Sequence, residues 1–127
     1  MNKPENIIKT WLQAVNNKDI ATLLNLYSEK AVLIPTFSNR ILNTSEKICD
    51  YFEKLGNRKD LTVSLHKKTV NTQQINESTF AISGIYLWQF AVEEELLSFE
   101  ARFSYVMDIH SERPIIHHHS SQIPRML

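Results

Sequence analysis

Glycine is nearly missing from this chain: Gly56 and Gly84 are the only two in 127 residues. A dinucleotide-binding turn or a P-loop needs several glycines in one loop, so that backbone can close on a phosphate. Nucleotide chemistry of those kinds is therefore excluded. Cysteine is scarcer still. The single Cys49 rules out a disulfide within the chain and has no neighbouring Cys or His motif, so it reads as a small helix residue in a reducing, cytoplasmic setting. Charge of one sign is also lacking, with 14 basic residues against 14 acidic ones. Without a basic stripe to neutralise phosphates, nucleic acid is not an expected partner. The start, Met-Asn-Lys-Pro-Glu-Asn, has no apolar signal region, and no run is long and apolar enough to span a bilayer, so no membrane partner is expected.

What is present belongs to an ordinary globular domain. The composition is 43% apolar and 22% charged, and residues 1–127 read as one domain with no repeat, linker or low-complexity tract. Pro4 suits a first helical turn, after which Ile7, Ile8, Trp11, Leu12 and Val15 fall at helical spacing. Asp19 is a good N-cap for a short second helix carrying Ile20, Leu23, Leu24 and Tyr27. Residues 31–35 form a short β segment closed by Pro35. Asn43 or Thr44 caps a third helix, with Glu46 placed to complete a capping box, and Gly56-Asn57 ends it.

Beyond residue 60 the pattern changes to long strands near 61–75, 78–92, 96–109 and 113–123. Their short connections predict antiparallel neighbours, with the glutamates 93–95 at a solvated hairpin tip. The strands are apolar on both sides. Ile85, Leu87, Gln89 and Ala91 oppose Tyr86, Trp88 and Phe90, while Phe99, Ala101, Phe103, Tyr105 and Met107 oppose Glu100, Arg102, Ser104, Val106 and Asp108. One face is expected to pack on the helices and the other, rich in aromatics, to meet a second subunit in a homodimer or larger homo-oligomer. The predicted fold class is α+β: a cone with N-terminal helices packed in a strongly curved antiparallel sheet, its concave side a pocket.

The last strand holds His117, His118, His119, Ser120 and Ser121 in consecutive positions. Side chains alternate across a strand, so His117, His119 and Ser121 share one face while His118 and Ser120 share the other. Polar groups on an inner face need partners or a task.

Together with Trp11, the stretch Asn25-Leu-Tyr-Ser-Glu-Lys-Ala-Val-Leu-Ile-Pro-Thr-Phe-Ser38, Asp50-Tyr-Phe52 and Glu100-Ala-Arg-Phe103, this ending resembles the nuclear-transport-factor-2-like superfamily (SnoaL-like). Within it the chain is most similar to the branch of the calcium/calmodulin-dependent protein kinase II association domain and the iota-class carbonic anhydrases. The resemblance implies a cone fold, a dimer or larger ring and, in some members, reversible hydration of carbon dioxide. It departs at Arg113-Pro114-Ile115, where a Gly-x-Trp-x-Ile hairpin is common, and in lacking the export segment of many iota-class members. A His-x-His-x-Ser pattern on the last strand of the kinase domain matches His117, His119 and Ser121, with Arg102 matching an arginine on the strand before. The implied pocket is thus Thr36, Tyr51, Arg102, His117, His119 and Ser121, with Ser38 beside Thr36. His118 and Ser120 are then expected to face away, in core or interface packing.

In that pocket, hydroxyls of Thr36, Tyr51 and Ser121 would hold water and a bicarbonate oxygen in line. His119 or His117 would take the proton, since imidazole titrates near pH ~6.5. Arg102 would steady the anion. The expected function is carbonic anhydrase-like lyase activity on a small molecule or anion, without a cofactor. The alternative is a non-enzymatic oligomerisation or small-ligand-binding module whose buried polar groups satisfy one another. A zinc or manganese site on the His-x-His pair is a further option that lacks a third ligand.

Overall fold

The computed structural model describes residues 3–124. Helix α1, Pro4–Asn16, starts on the proline and buries one stripe made of Ile7, Ile8, Trp11, Ala14 and Val15. Helix α2, Ile20–Leu26, is capped by Asp19, whose carboxylate accepts from the Thr22 backbone N–H at 3.1 Å and hydroxyl at 2.6 Å. These bonds stabilise the charged form and lower the Asp19 pKa. Tyr27, expected as the last turn of this helix, instead opens strand β1, Tyr27–Ile34. Helix α3, Ser45–Gly56, is capped by Thr44, which accepts from the Lys47 N–H at 3.2 Å. Because Thr44 is the cap, Glu46 stands at the second helical position, and the expected capping box needs a glutamate at the third.

Four further strands follow: β2, Thr62–Gln74; β3, Thr79–Val92; β4, Glu95–Asp108; and β5, Ile115–Gln122. They form one sheet in the order β1-β5-β4-β3-β2. The pairs β2–β3, β3–β4 and β4–β5 are antiparallel, as their short connections require. Strand β1 runs parallel to β5, because the chain crosses through α3 and three strands before it returns. The sheet is therefore mixed at that edge rather than antiparallel throughout.

The face assignment of the long strands differs from expectation. Tyr86, Trp88 and Phe90 with Ala101, Phe103, Tyr105 and Met107 are buried beneath the helices, whereas Ile85, Leu87, Glu100, Arg102, Ser104 and Val106 lie on the opposite face. The aromatic face is the concave one. A curved sheet leaves a deep space on that side, and only large rings fill it at native packing density. Trp11 occupies its centre, stacked on Tyr86 at 5.6 Å between ring centroids and edge-on to Trp88, Tyr105 and Phe52.

Two local irregularities carry testable energetics. In the β2 bulge the Thr69 hydroxyl donates to the His66 carbonyl at 2.7 Å and accepts from the Ile85 N–H at 2.8 Å, standing in for a ladder carbonyl. Gly84 gives this contact its room, since a Cβ there would lie 3.1 Å from both the Thr69 hydroxyl and the Phe103 ring. Gly84→Ala should cost about 1–3 kcal/mol in urea unfolding through this overpacking, and no loss would show that the bulge yields. At the β3–β4 hairpin, Glu93 and Glu94 sit at φ 50° and 68°, a left-handed pair for which Asn-Gly is preferred. Glu93→Asn with Glu94→Gly should stabilise the protein by about 1 kcal/mol or more.

Candidate functional site

The end of the chain's last strand decides what the concave pocket contains. Ile115 pairs with Met107 and is fully buried, but His117 is already opposite Val106, so Ile116 is extra and bulges outward. One inserted residue inverts the alternation that follows. His118, opposite Tyr105, and Ser120, opposite Phe103, therefore point inward and are each 2% exposed. His117, His119 and Ser121 lie on the outer face with Arg102, which is opposite Ser121. There the Ser121 hydroxyl and His119 Nε2 are 2.9 Å apart. The two interleaved sets exist as the alternation predicts, with their faces exchanged.

The expected pocket residues thus divide. Arg102, His117, His119 and Ser121 are brought together on the convex face. Thr36 and Tyr51 remain on the concave side, where they meet His118 and Ser120. Pro35 ends β1, and the turn after it carries Thr36 inward to form a short hydrogen bond with the Ser120 hydroxyl. The next residue, Phe37, donates its N–H to the Tyr51 hydroxyl at 3.4 Å and packs its ring edge-on to Trp88, Phe90 and Phe99. Ser38 borders two openings. One is a recess of about 440 Å³ that exposes Thr36 beside Ser120 and Ser121. The other is a basin of about 650 Å³ at the cone mouth, walled by Tyr51, Arg40, Lys54 and Arg58. Arg58 is held there with its guanidinium 5.3 Å from the Phe90 ring centre.

Deeper in, a polar line crosses the core. The Trp11 indole N–H donates to the Tyr27 hydroxyl at 3.0 Å, which is 2.7 Å from His118 Nδ1. On the other side of the ring, His118 Nε2 is 3.2 Å from the Tyr86 hydroxyl. Tyr105 stacks on the imidazole at 3.9 Å between centroids. Burial pushes the His118 pKa well down, aided by repulsion from His117 and His119. Burial likewise raises the pKa of Tyr86, with the neighbouring Ser120, Thr36 and Trp88 side chains acting in the opposite direction, and that of Tyr27 and Tyr51. Neutral imidazole and neutral phenols are the ground state of this site. Sequence reasoning missed Tyr27 and Tyr86 as members of it because a tyrosine at core spacing looks the same whether its hydroxyl is used or not. Among the described residues no three His, Cys, Asp or Glu side chains gather as a metal site.

A histidine held neutral by folding destabilises the fold in acid. The unfolded chain takes up a proton below the ordinary value of ~6.5, while the folded state does not. Stability should therefore fall as pH drops from 7 towards 5, with His118 contributing up to ~1.4 kcal/mol per pH unit. Chemical denaturation of His118→Gln across this range should give a shallower slope than the unaltered protein; equal slopes would assign the acid sensitivity elsewhere.

The family model for the calcium/calmodulin dependent protein kinase II association domain matches residues 4–124. No curated protein sequence matches the chain. Among solved structures, an association-domain protein from Xanthomonas campestris superposes with a TM-score of 0.85 at 22% identity, over 96% of this chain and 86% of that one. The association domain of the C. elegans kinase does so with a TM-score of 0.73 at 22% identity, over 91% and 90%. A ketosteroid isomerase-like protein from Erwinia carotovora has a TM-score of 0.74 at 10% identity, over 95% and 94%, so the cone is shared well beyond the association domains. With a family match across nearly its whole length and the nuclear-transport-factor-2-like cone, this chain belongs to the calcium/calmodulin dependent protein kinase II association domain family.

Proposed function

We propose that this chain works as a homo-oligomerising domain that docks through the convex face of its sheet. The observation that carries this is the composition of that face. Val32, Ile34, Ile85, Leu87 and Val106 are half-buried on it, and no helix among the described residues covers it. Few charges interrupt it, chiefly Glu100 and Arg102. A second copy would remove this apolar surface from water at about 25 cal/mol per Å². The family's name, association domain, agrees with that use. Sedimentation of the purified chain should give a dimer or larger species, and Ile85→Lys with Val106→Glu should shift it to a folded monomer. A chain that is monomeric before substitution would overturn the reading.

A second reading, hydration of carbon dioxide, is favoured by one convergence. Thr36, Ser120, Tyr86 and His118 line up from the recess to the core, with Tyr51 beside them through Phe37. The hydroxyls would hold a water against the carbon; as its oxygen bonds to carbon, its proton would pass along the Ser120 and Thr36 hydroxyls to solvent in the recess, through which bicarbonate would also leave. His118 is buried and neutral, so it would orient this set rather than carry the proton out. Stopped-flow measurement on metal-stripped protein should show hydration above the buffer rate. Ser120→Ala and Tyr51→Phe should lower it about tenfold or more, and Ser121→Ala on the outer face should not. No excess rate, with or without added zinc or manganese, would sink this reading.

A further inference from the structure

The β3–β4 hairpin and the basin at the cone mouth lie side by side at one end of the molecule. Helix α3 lines the basin, and just beyond its end the Lys59 carbonyl accepts from the Ala91 N–H at 2.8 Å. Arg58 reaches the same strand, with its guanidinium over the Phe90 ring. The hairpin tip, Glu93-Glu94-Glu95, therefore stands exposed next to the basin but forms no part of its wall.

The two patches are opposite in charge. The basin gathers Arg40, Lys47, Lys54 and Arg58 against the single carboxylate of Asp50, whereas the tip carries three consecutive glutamates. Among the described residues Lys54–Asp50 is the one salt bridge, so Arg40, Lys47 and Arg58 meet no carboxylate and the tip glutamates meet no cation. Like charges gathered in this way attract a counter-charge from outside. The patches also match in apolar character. Ile41 at the basin is 61% exposed and Leu96 beside the tip is 57% exposed, two of the three most exposed large apolar side chains among the described residues. Glu93 and Glu94 hold a left-handed backbone that suits Asn and Gly better, so the fold itself gains nothing from glutamate there. Because the complementary patches adjoin, a two-fold axis between two copies sets each tip against the other's basin. Both contacts then form together and the pair closes.

We infer that the basin is a docking site for the glutamate tip of a second copy of this chain, with Glu93 and Glu94 against Arg40, Lys47 and Arg58 and Leu96 covering Ile41. The partner copy supplies the carboxylates that the basin lacks. This contact is separate from docking through the convex face and adds to it. Exposed ion pairs contribute little singly. Copies already joined through their sheets offer several such contacts at once, and these act together.

The test combines sedimentation with cross-linking of the full chain. Raising sodium chloride from about 0.1 M to about 1 M shortens the screening length from ~10 Å to ~3 Å and should lower the assembled mass. Glu93→Asn with Glu94→Gly should lower it equally at low salt, and since this change is expected to stabilise the fold, unfolding would not account for the loss. Lys47→Glu with Arg58→Glu should do likewise, and adding Glu93→Lys with Glu94→Lys should restore the mass. A mass unmoved by salt and by the tip change would overturn the contact, and a polyglutamate peptide binding the basin in that case would assign it to another acidic partner. Cross-linking reads the contact without the convex face. Carbodiimide joins a carboxylate directly to an amine. In a concentrated mixture of nitrogen-15-labelled and unlabelled chains it should link Glu93 or Glu94 of one copy to Lys47 or Lys54 of the other, also when Ile85→Lys and Val106→Glu are present. Absence of these links between copies would overturn the contact whatever the sheets do. Links in an unaltered chain that sediments as a monomer when dilute would keep the contact and remove only the convex-face reading.

Discussion

Everything in this fold leans on one indole. Trp11 comes from a helix that starts at the fourth residue, and its ring lies against the concave face of the sheet, stacked on Tyr86 and edge-on to Trp88, Tyr105 and His118. Its apolar body supplies the bulk that a strongly curved sheet needs on its concave side. Its N–H satisfies Tyr27, and Tyr27 in turn meets the imidazole of the last strand. Helix, first strand and last strand are therefore tied at one point by packing and hydrogen bonding together.

That arrangement sets the chemistry of the concave side. Every titratable group there is buried among rings, so each is held in its neutral form. The line from Trp11 through Tyr27 and His118 to Tyr86 is neutral and hydrogen-bonded throughout, and unpaired charge in it would cost several kcal/mol. The charged groups of the region stay at the rim, where Arg40, Lys54 and Arg58 wall the basin and Asp50 pairs with Lys54 at 3.0 Å. The convex face, by contrast, combines apolar side chains with His117, His119 and Arg102, the mixed character suited to a partner surface.

Much of the fold was legible because its signals are local. Helical spacing of Ile7, Ile8 and Trp11, the Asp19 cap and the alternation of the long strands each depend on neighbours a few residues away. The Glu46 capping box failed for an equally local reason, since a shift of one residue in the cap moves the glutamate out of reach. Which face of the sheet turns inward is not local. Both faces of β3 and β4 carry apolar residues, so composition could not choose, and the choice fell to whichever rings fit Trp11. The same holds at the site. Thr36 and Tyr51 were found through the motifs that carry them, while Tyr27 and Tyr86 were not, because nothing in a sequence marks a phenol that a histidine will later reach.

By itself the sequence determined the element order, the family resemblance, the lack of any glycine-rich loop and the separation of the histidine run into two sets. Only the tertiary structure decided which set faces the core. The deciding event is a single extra residue, Ile116, opposite a regular strand. Period-two alternation records relative position perfectly but has no memory of absolute direction, so one bulge exchanges the faces of every residue beyond it. Pairing of β5 with β4, formed between segments that are distant until the chain folds, settles that His118 and Ser120 belong to the interior.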